Sequence, residues 1–354
     1  MNLNQSIGSL IMTGFRGATL DDSQCRADVQ LLKDLHIKGV ILFDTHLPTG
    51  GMRNIVNEDQ VRQLTDDLRH ELGGDLLVGI DQEGGLVNRL GLFQDAGVSE
   101  QLSAKMQGAL SPKQLIATIQ PVANALSDAG INMNFAPCID LAINPDNPII
   151  ARKDRALGTD PHRVTDAAMT IVSTYHTHGV ACCLKHFPGH GSSTADTHDG
   201  IADISDTYTD DEQLVYQTLI DSIKAGSTPP CAIMTGHLIN RMIDPDFPAS
   251  LSHTHTTKLL REQLGFDGFI ITDSIDMGAI GNAWDAGQAS VLAIKAGADM
   301  VLDGFNAAGD MPGDHPAHVM HGGLCMAVEN GTITESRIAD SNSRRSDLLS
   351  KTSR

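Results

Sequence analysis

The chain has 354 residues, a length that suits one large domain or two small ones. Hydrophobic residues make up 41% and charged residues 19%, so the sequence can form a core and shows no sign of extended disorder. The 25 Lys and Arg residues are outnumbered by 44 Asp and Glu residues, which gives a net charge of −19. Such a charge repels nucleic acid phosphates and anionic membranes, so neither is expected as a partner.

The N-terminal residues lack a secretion signal pattern, and no stretch reaches the roughly 20 apolar residues that span a bilayer. We therefore expect a cytoplasmic protein. Six cysteines are scattered along the chain without a CxxC pair, and we interpret them as reduced structural thiols.

Eight short apolar runs recur along the chain, each followed by enough residues for a helix. They are continuous rather than alternating, which is typical of parallel strands covered on both faces. In chain order they are SLIMTGF at 9, KGVILF at 38, DLLVGID at 75, INMNFAPCIDL at 131, GVACCLKHF at 179, CAIMTGHL at 231, GFIITDS at 268 and DMVLDG at 299. This pattern predicts an α/β fold, a (β/α)8 TIM-type barrel.

No linker or composition shift divides the chain, so residues 1–354 are predicted to form a single catalytic barrel. Thr209 and Glu212 make a capping-box pattern ahead of one predicted helix. Residues 331–354 are polar with few periodic apolar positions, and we expect them to form a peripheral C-terminal helix or tail.

Titratable side chains directly follow five of the apolar runs. In a barrel the active site is built at the carboxyl ends of the strands, so these side chains are expected to meet at one mouth. They are Asp81, Asp140, Lys185 with His186, His237 and Asp273. For Asp140 and His237 taken singly, a capping or satisfied structural role is an equally good interpretation.

Cleavage of a glycosidic bond needs one group at the anomeric carbon and another that protonates the departing oxygen. Asp273, at a strand end, suits the first role, whereas Asp276 is better explained as a helix cap. Asp196 and His198 suit the second role, because a neighbouring carboxylate orients an imidazole and favours its protonated form. Glycines at 189, 191 and 200 predict that this pair lies on a mobile loop.

The same stretch also contains metal-ligand residue types, namely His186, His190, His198 and Asp196. They lie on a Gly-Ser-Thr loop without an H-E-x-x-H anchor, so a metal site is disfavoured and no metal or organic cofactor is expected. His190 and Asp199 are left with structural roles.

Several motifs occur in an order and spacing that resemble the family 3 glycoside hydrolases. The similarity is greatest to single-domain β-N-acetylhexosaminidases that resemble bacterial peptidoglycan-recycling β-N-acetylglucosaminidases. The motifs are GVILF (39–43), DQEGGLVNR (81–89), GINMNFAPCIDLAINPDNPII (130–150), RALG (155–158), KHFPGHG (185–191), DTH (196–198), IMTGHL (233–238), PASLS (248–252) and ITDSIDM (271–277).

The resemblance implies a retaining hydrolase in which Asp273 is the nucleophile and the Asp196–His198 dyad is the acid/base. It further implies that the sugar is held by Asp81, Arg89, Arg155, Lys185 and His186. Many β-glucosidase relatives carry a second α/β domain that supplies a carboxylate acid/base. No such domain is expected here, which favours an N-acetylhexosaminide over a glucoside or xyloside as substrate.

Leu86, Ser192 and the RALG motif depart from the family pattern and leave the identity of the leaving group open. One Trp and three Tyr supply little aromatic surface for long polysaccharides, so a short oligosaccharide is the expected partner. A glycoside phosphorylase is the main alternative, because the family resemblance implies that a histidine acid permits phosphate as acceptor. A barrel that only binds sugar or protein is least favoured, and the sequence predicts no oligomeric state.

Overall fold

The computed structural model describes residues 3–93, 98, 100–198, 200–306 and 315–352. The α-helices are α1 Leu3–Gly8, α2 Ser23–Asp34, α3 Glu58–Leu72, α4 Ala104–Gly108, α5 Pro112–Asp128, α6 Pro161–His176, α7 Asp210–Lys224, α8 Gly278–Gly281, α9 Ala286–Ala296, α10 Pro316–Glu329 and α11 Glu335–Thr352. Two short 3₁₀ turns cover Ala151–Lys153 and Ala249–Leu251, and a π-helix covers Thr254–Gln263.

The strands are β1 Ile11–Thr13, β2 Gly39–Leu42, β3 Leu77–Ile80, β4 Met133–Asn134, β5 Ala181–Phe187, β6 Ala202–Asp203, β7 Ala232–Thr235, β8 Leu238–Ile239, β9 Ile270–Thr272 and β10 Val301–Asp303. Eight of them pair in parallel in the order β10-β1-β2-β3-β4-β5-β7-β9. A parallel bridge between Ile271 and Met300 brings the two edges of this sheet together. Each of the eight strands lies within one of the eight apolar runs, so the predicted (β/α)8 barrel is confirmed.

The remaining strands, β6 and β8, pair only with each other. They lie in the connections that follow β5 and β7, at the carboxyl end of the barrel. The sequence analysis did not predict them, because two-residue strands have no detectable periodicity.

Alternate residues of the strands form two separate apolar layers. Met12, Ile41, Met133 and Ile271 belong to the cluster inside the barrel. Strand residues such as Val40 belong instead to the larger cluster between the sheet and the helices. Side chains of a strand point alternately to opposite faces, so one continuous apolar run fills both layers.

Helix α11 is held against the amino-terminal end of the barrel by buried ion pairs. Asp299, two residues before the last strand, accepts hydrogen bonds from Arg261, Arg337 and Arg344. Arg345 pairs with Asp75 at 2.7 Å, just before β3. The C-terminal helix therefore lies opposite the end where the polar strand-end residues collect.

All six cysteines are free thiols, and five of them are buried. Among the described residues, none of the helices combines the length and apolar character that crossing a membrane requires.

Candidate active site

A cleft of about 300 Å³ opens at the carboxyl ends of the barrel strands. Its lining includes seven residues predicted for the site, Asp81, Arg89, Arg155, Lys185, His186, His198 and Asp273. The eighth, Asp196, is bonded to His198 beside the cleft. The structure thus brings together side chains from five separate segments of the chain.

Lys185, on β5, joins two carboxylates at the floor of the cleft. Its Nζ atom lies 2.6 Å from Asp81 and 2.7 Å from Glu83. Arg155 binds both oxygens of Glu83, at 2.8 and 2.9 Å. Burial disfavours ionised Glu83, but the charges of Arg155 and Lys185 outweigh it and hold the pKa of this carboxyl far below its usual value. The network is therefore ionised and fixes the heads of both cations.

The sequence analysis missed Glu83, although it lies two residues after Asp81. The turn that follows explains its position: Gly84 has φ +97°, and a Cβ atom there would lie 2.1 Å from the carbonyl oxygen of Leu102. Only glycine fits so close to that backbone. The available signal in the sequence was a charged residue directly before two glycines, in a segment that follows a buried strand.

His186 is oriented from behind by Asp140. Its Nδ1 atom lies 2.7 Å from Asp140 Oδ2, and the backbone N–H groups of His186 and His190 also donate to this carboxylate. Burial raises the pKa of Asp140, but the neighbouring histidines outweigh burial and lower the pKa to about 2. Asp140 is therefore an ionised support for His186, which agrees with the structural interpretation that the sequence left open.

Cys138, Asp140 and His186 present three metal-ligand atoms within 4.8 Å of one another. These atoms satisfy each other, since the Cys138 thiol donates to Asp140 at 3.2 Å and His186 occupies the same oxygen. Burial also raises the pKa of the Cys138 thiol, whereas metal binding requires the thiolate. The hydrogen bonds account for this cluster without an ion.

Asp273 follows β9, and its carboxylate reaches the cleft with 18% of the side chain exposed. Its Oδ1 atom accepts the N–H of Ser274 at 2.8 Å, and its own N–H donates to Thr235. Burial raises the pKa of this carboxyl, but His186, His237 and the Ser274 N–H outweigh burial and lower it. Asp273 is therefore ionised near neutral pH.

His237 lies behind Asp273 and is fully buried. Its Nε2 atom is 2.8 Å from the Ser274 carbonyl oxygen and its Nδ1 atom is 2.8 Å from Ser250 Oγ. A carbonyl only accepts, so Nε2 carries the hydrogen and Ser250 donates to Nδ1. Burial lowers the pKa of His237, which keeps it neutral in this role. It supports the backbone next to Asp273 rather than facing the cleft.

Asp276 does not occupy the N-cap position of α8, contrary to the interpretation from sequence. Its Oδ1 atom accepts the Ser274 hydroxyl at 2.6 Å, and its Oδ2 atom accepts the Asn306 N–H at 3.3 Å. The N-cap of α8 is Met277, which has no side-chain cap bond. Asp276 ties the segment after β9 to the segment after β10.

Asp196 and His198 form a hydrogen-bonded pair at the rim of the cleft. Asp196 Oδ1 accepts from His198 Nδ1 at 2.7 Å and from the His198 N–H at 2.9 Å. The His198 side chain is 52% exposed. Because Nδ1 is bonded to Asp196, the Nε2 atom is the one available for proton exchange with a ligand. Asp199 lies outside the described residues.

The loop that carries this pair is packed more tightly than its glycines predict. A Cβ atom on Gly191 would lie 1.6 Å from the carbonyl oxygen of Leu141, so this glycine serves close packing rather than free rotation. His190, Ser192 and Ser193 are buried. The Ser192 N–H donates to Glu212 at 3.1 Å. Residues 189–193 therefore form a fixed base, whereas Thr194 and, at the Asp196–His198 tip, His198 are exposed to solvent.

Arg89 reaches the cleft from the segment after β3. Its guanidinium lies over the Phe43 ring, 5.9 Å from the centroid, and pairs with Asp44 at 3.3 Å. Asp44 follows the second apolar run directly, so the rule that selected the other strand-end carboxylates also applied to it. The sequence analysis nevertheless overlooked it.

His190 lines the cleft beside His186, with ring centroids 5.8 Å apart. Burial lowers its pKa to about 4, so it is neutral near pH 7. Its Nε2 atom contacts Thr197 Oγ1 at 3.4 Å, which links the fixed base of the loop to its tip. This geometry agrees with the structural role expected for it.

The arrangement places an ionised carboxylate, a histidine–carboxylate pair and the cations Arg89, Lys153, Arg155 and Lys185 around one cleft at the carboxyl end of a barrel. This is the position and composition of the active sites of TIM-barrel enzymes. Comparison with known proteins identifies the family. Residues 2–347 match the glycosyl hydrolase family 3 N terminal domain, and the chain belongs to that family of glycoside hydrolases.

Two curated relatives are each 32% identical to the chain. The β-hexosaminidase A of Pseudoalteromonas piscicida aligns over 337 residues, which cover 85% of this chain and 53% of the relative. The β-hexosaminidase of Bordetella avium aligns over 283 residues, covering 77% of this chain and 75% of the relative. The chain thus spans about half of the first relative and three quarters of the second.

Two solved structures share the fold over nearly the whole chain. A family 3 β-N-acetylglucosaminidase from a Paenibacillus species superposes with a TM-score of 0.83 and 30% identity, over 99% of this chain and 63% of that one. A β-N-acetylhexosaminidase from Beutenbergia cavernae gives a TM-score of 0.82 and 28% identity, over 99% of both chains.

Proposed function

We propose that this protein is a retaining, exo-acting β-N-acetylhexosaminidase. Its substrates are short glycans, such as peptidoglycan or chitin fragments, from which it removes terminal non-reducing N-acetyl-β-D-glucosamine. The observation that carries the proposal is the convergence of ionised Asp273 and the Asp196–His198 pair on one cleft. The names of the relatives support the choice of an N-acetylhexosaminide.

In the first step the Asp273 carboxylate attacks the anomeric carbon and forms a glycosyl ester. The bond between that carbon and the glycosidic oxygen breaks, and His198 Nε2 gives its proton to the departing oxygen. Asp196 accepts from His198 Nδ1 and holds the orientation of the imidazole throughout.

In the second step His198 takes a proton from water, and the resulting hydroxide oxygen attacks the anomeric carbon. The bond to Asp273 breaks, which restores the carboxylate and the imidazolium. Two displacements at one carbon retain the β configuration.

The remaining polar groups of the cleft bind the sugar. Asp81, Arg89, Arg155, Lys185 and His186 offer charged donors and acceptors to its hydroxyl groups and its N-acetyl group. Their mutual ion pairs fix their positions before the substrate arrives, which reduces the ordering that binding requires.

A panel of 4-nitrophenyl β-glycosides, assayed with and without inorganic phosphate, tests this proposal. We expect release of nitrophenol from the N-acetylglucosaminide, little from the glucoside and xyloside, and N-acetylglucosamine as product under both conditions. Formation of the sugar 1-phosphate would instead identify a phosphorylase. Absence of turnover on every glycoside would contradict catalysis itself.

A further inference from the structure

Four cations line the cleft, and three of them are neutralised by carboxylates. Arg155 pairs with Glu83 at 2.8 Å, Lys185 pairs with Asp81 at 2.6 Å, and Arg89 pairs with Asp44 at 3.3 Å. The fourth is Lys153, which lines the same cleft with an exposed side chain. Within the described residues it forms no ion pair, so its charge remains available to a ligand.

Lys153 lines the same cleft as His198, the group proposed to protonate the leaving group. A general acid must contact the glycosidic oxygen, so residues beside the acid flank the leaving group rather than the sugar held by Asp273. His198 is that acid in the proposed function, and Lys153 and His198 line the cleft together. Burial raises the pKa of Asp196, but its bonds with His198 outweigh burial and lower it, and the charge of Lys153 adds to the lowering. The charge of Lys153 therefore reaches Asp196.

The backbone around Lys153 is fixed in place. The Asn147 side chain accepts the N–H groups of Ile149 and Ile150, and it donates to the carbonyl oxygens of His190 and Ser193. One amide thus ties the turn that carries Lys153 to the base of the loop that carries the dyad.

Asp154, the residue after Lys153, fixes the same turn through contacts with Lys105. The backbone carbonyl and the carboxylate of Asp154 both accept from Lys105, at 3.1 and 3.0 Å. Although the Lys153 side chain is exposed, its backbone is fixed relative to the loop that carries His198. Binding of a ligand therefore requires ordering of the Lys153 side chain but not of its backbone.

We infer that Lys153 determines specificity, by favouring leaving groups that carry a negative charge such as a carboxylate. This inference rests on the proposed function, since it uses His198 to locate the leaving group. The chain as a whole carries a net charge of −19 and repels anions. The preference for an anionic leaving group is therefore local to Lys153, because the net charge of the rest of the molecule repels anions.

Two disaccharide derivatives that differ in one group test the inference. Diacetylchitobionate and diacetylchitobiitol both have an open-chain leaving group, which ends in a carboxylate in the first and a hydroxymethyl group in the second. The quantity to measure is the ratio of kcat/KM for the anionic substrate to kcat/KM for the neutral one, in low salt and with and without inorganic phosphate. The ratio cancels changes in folding or in the amount of active enzyme.

We expect K153M to lower this ratio about three- to ten-fold and K153E to lower it further, the scale of one partly solvated ion pair. Added salt should lower the wild-type ratio and leave the K153M ratio nearly unchanged. R152M is the matched control, because Arg152 is the neighbouring cation, is paired with Asp146 at 3.0 Å and does not line the cleft. Its ratio should equal that of the wild type.

Equal ratios for wild type and K153M, with both substrates hydrolysed, would overturn the inference and leave the proposed function intact. A K153M defect that appears only as lost stimulation by phosphate would also overturn it, because Lys153 would then serve an anionic acceptor. Failure of the wild type to hydrolyse either substrate or the nitrophenyl glycoside would overturn the proposed function, and the inference with it.

Discussion

The Nε2 atom of His186 lies 4.0 Å from Oδ2 of Asp273. This separation is too long for a hydrogen bond, so Oδ2 keeps a lone pair available to the cleft while the nearby imidazole favours the ionised carboxylate. Asp140 holds the opposite edge of the same ring. The carboxylate proposed as nucleophile is therefore stabilised as an anion without being blocked.

Replacing Asp273 with Asn should abolish hydrolysis, because the amide cannot form the glycosyl ester. We expect kcat on 4-nitrophenyl N-acetyl-β-D-glucosaminide to fall by about 10³-fold or more. Asp276→Asn is the matched control, since Asp276 accepts from Ser274 and Asn306 and is not among the residues that line the cleft, and it should lose far less activity. Equal losses in the two variants would remove the distinction between these carboxylates.

Replacing His198 with Ala should affect substrates according to their leaving groups. A nitrophenolate leaves without full protonation, whereas a sugar hydroxyl needs the acid, so kcat on diacetylchitobiose should fall about 10²- to 10⁴-fold and on the nitrophenyl glycoside less. His162→Ala, at an exposed position at the start of α6, is the control and should leave both rates unchanged. A loss of equal size on both substrates would argue against His198 as the acid.

Glu212 should make stability depend on pH. It is buried beneath the loop base, and burial raises its pKa from 4.5 to about 7. A carboxyl whose pKa is higher in the folded state opposes folding when it ionises. Its contribution to stability is therefore present below about pH 4.5 and lost as the pH rises to about 7, a loss of roughly 3 kcal/mol in total.

Urea unfolding of wild type and Glu212→Gln between about pH 4 and pH 8 measures this effect. The variant should show a smaller decrease in the free energy of unfolding, although it loses one of the two N–H bonds, from Ser192 and Thr209, that the carboxylate accepts. Glu262→Gln, on an exposed side chain, should follow the wild-type pH dependence. Parallel curves for wild type and Glu212→Gln would contradict the raised pKa.

Replacing Asp299 with Asn should destabilise the attachment of α11. The change leaves Arg261, Arg337 and Arg344 without their shared charge partner, and breaking a buried pair costs about 3–5 kcal/mol. Urea unfolding and limited proteolysis near residue 335 measure the loss. Asp347→Asn, with 65% of its side chain exposed, is the control. Retention of full stability in Asp299→Asn would show that the charge of Asp299 does not contribute to the attachment of α11.

The strands and most of the site were predictable from sequence because both depend on local patterns. Continuous apolar runs identify buried strands, and the residue after each run identifies the mouth of the barrel. Asp81, Lys185, His186 and Asp273 were found in this way. Arg89 and Arg155 came only from the family resemblance, since neither directly follows an apolar run.

The partners behind these residues were not predictable in the same way. Glu83 pairs with Arg155, 72 positions away, and Asp140 supports His186 across 46 positions. These residues become neighbours only when the strands close into a barrel. The tight packing at Gly191 has the same origin, because the carbonyl of Leu141 that excludes a side chain belongs to a different segment. The glycines of this loop predicted mobility, whereas Gly191 is needed because the backbone of Leu141 packs directly against it.

The carbonyl oxygens of Thr197 and His198 accept the N–H groups of Ala279 and Gly278, both at 3.2 Å. These two amides begin α8, five and six residues after Asp273. The tip of the loop that carries the proposed acid/base pair and the strand end that bears the carboxylate thus share one short piece of backbone. This piece couples the position of the Asp196–His198 pair to that of Asp273, so we expect a displacement of one to be passed to the other.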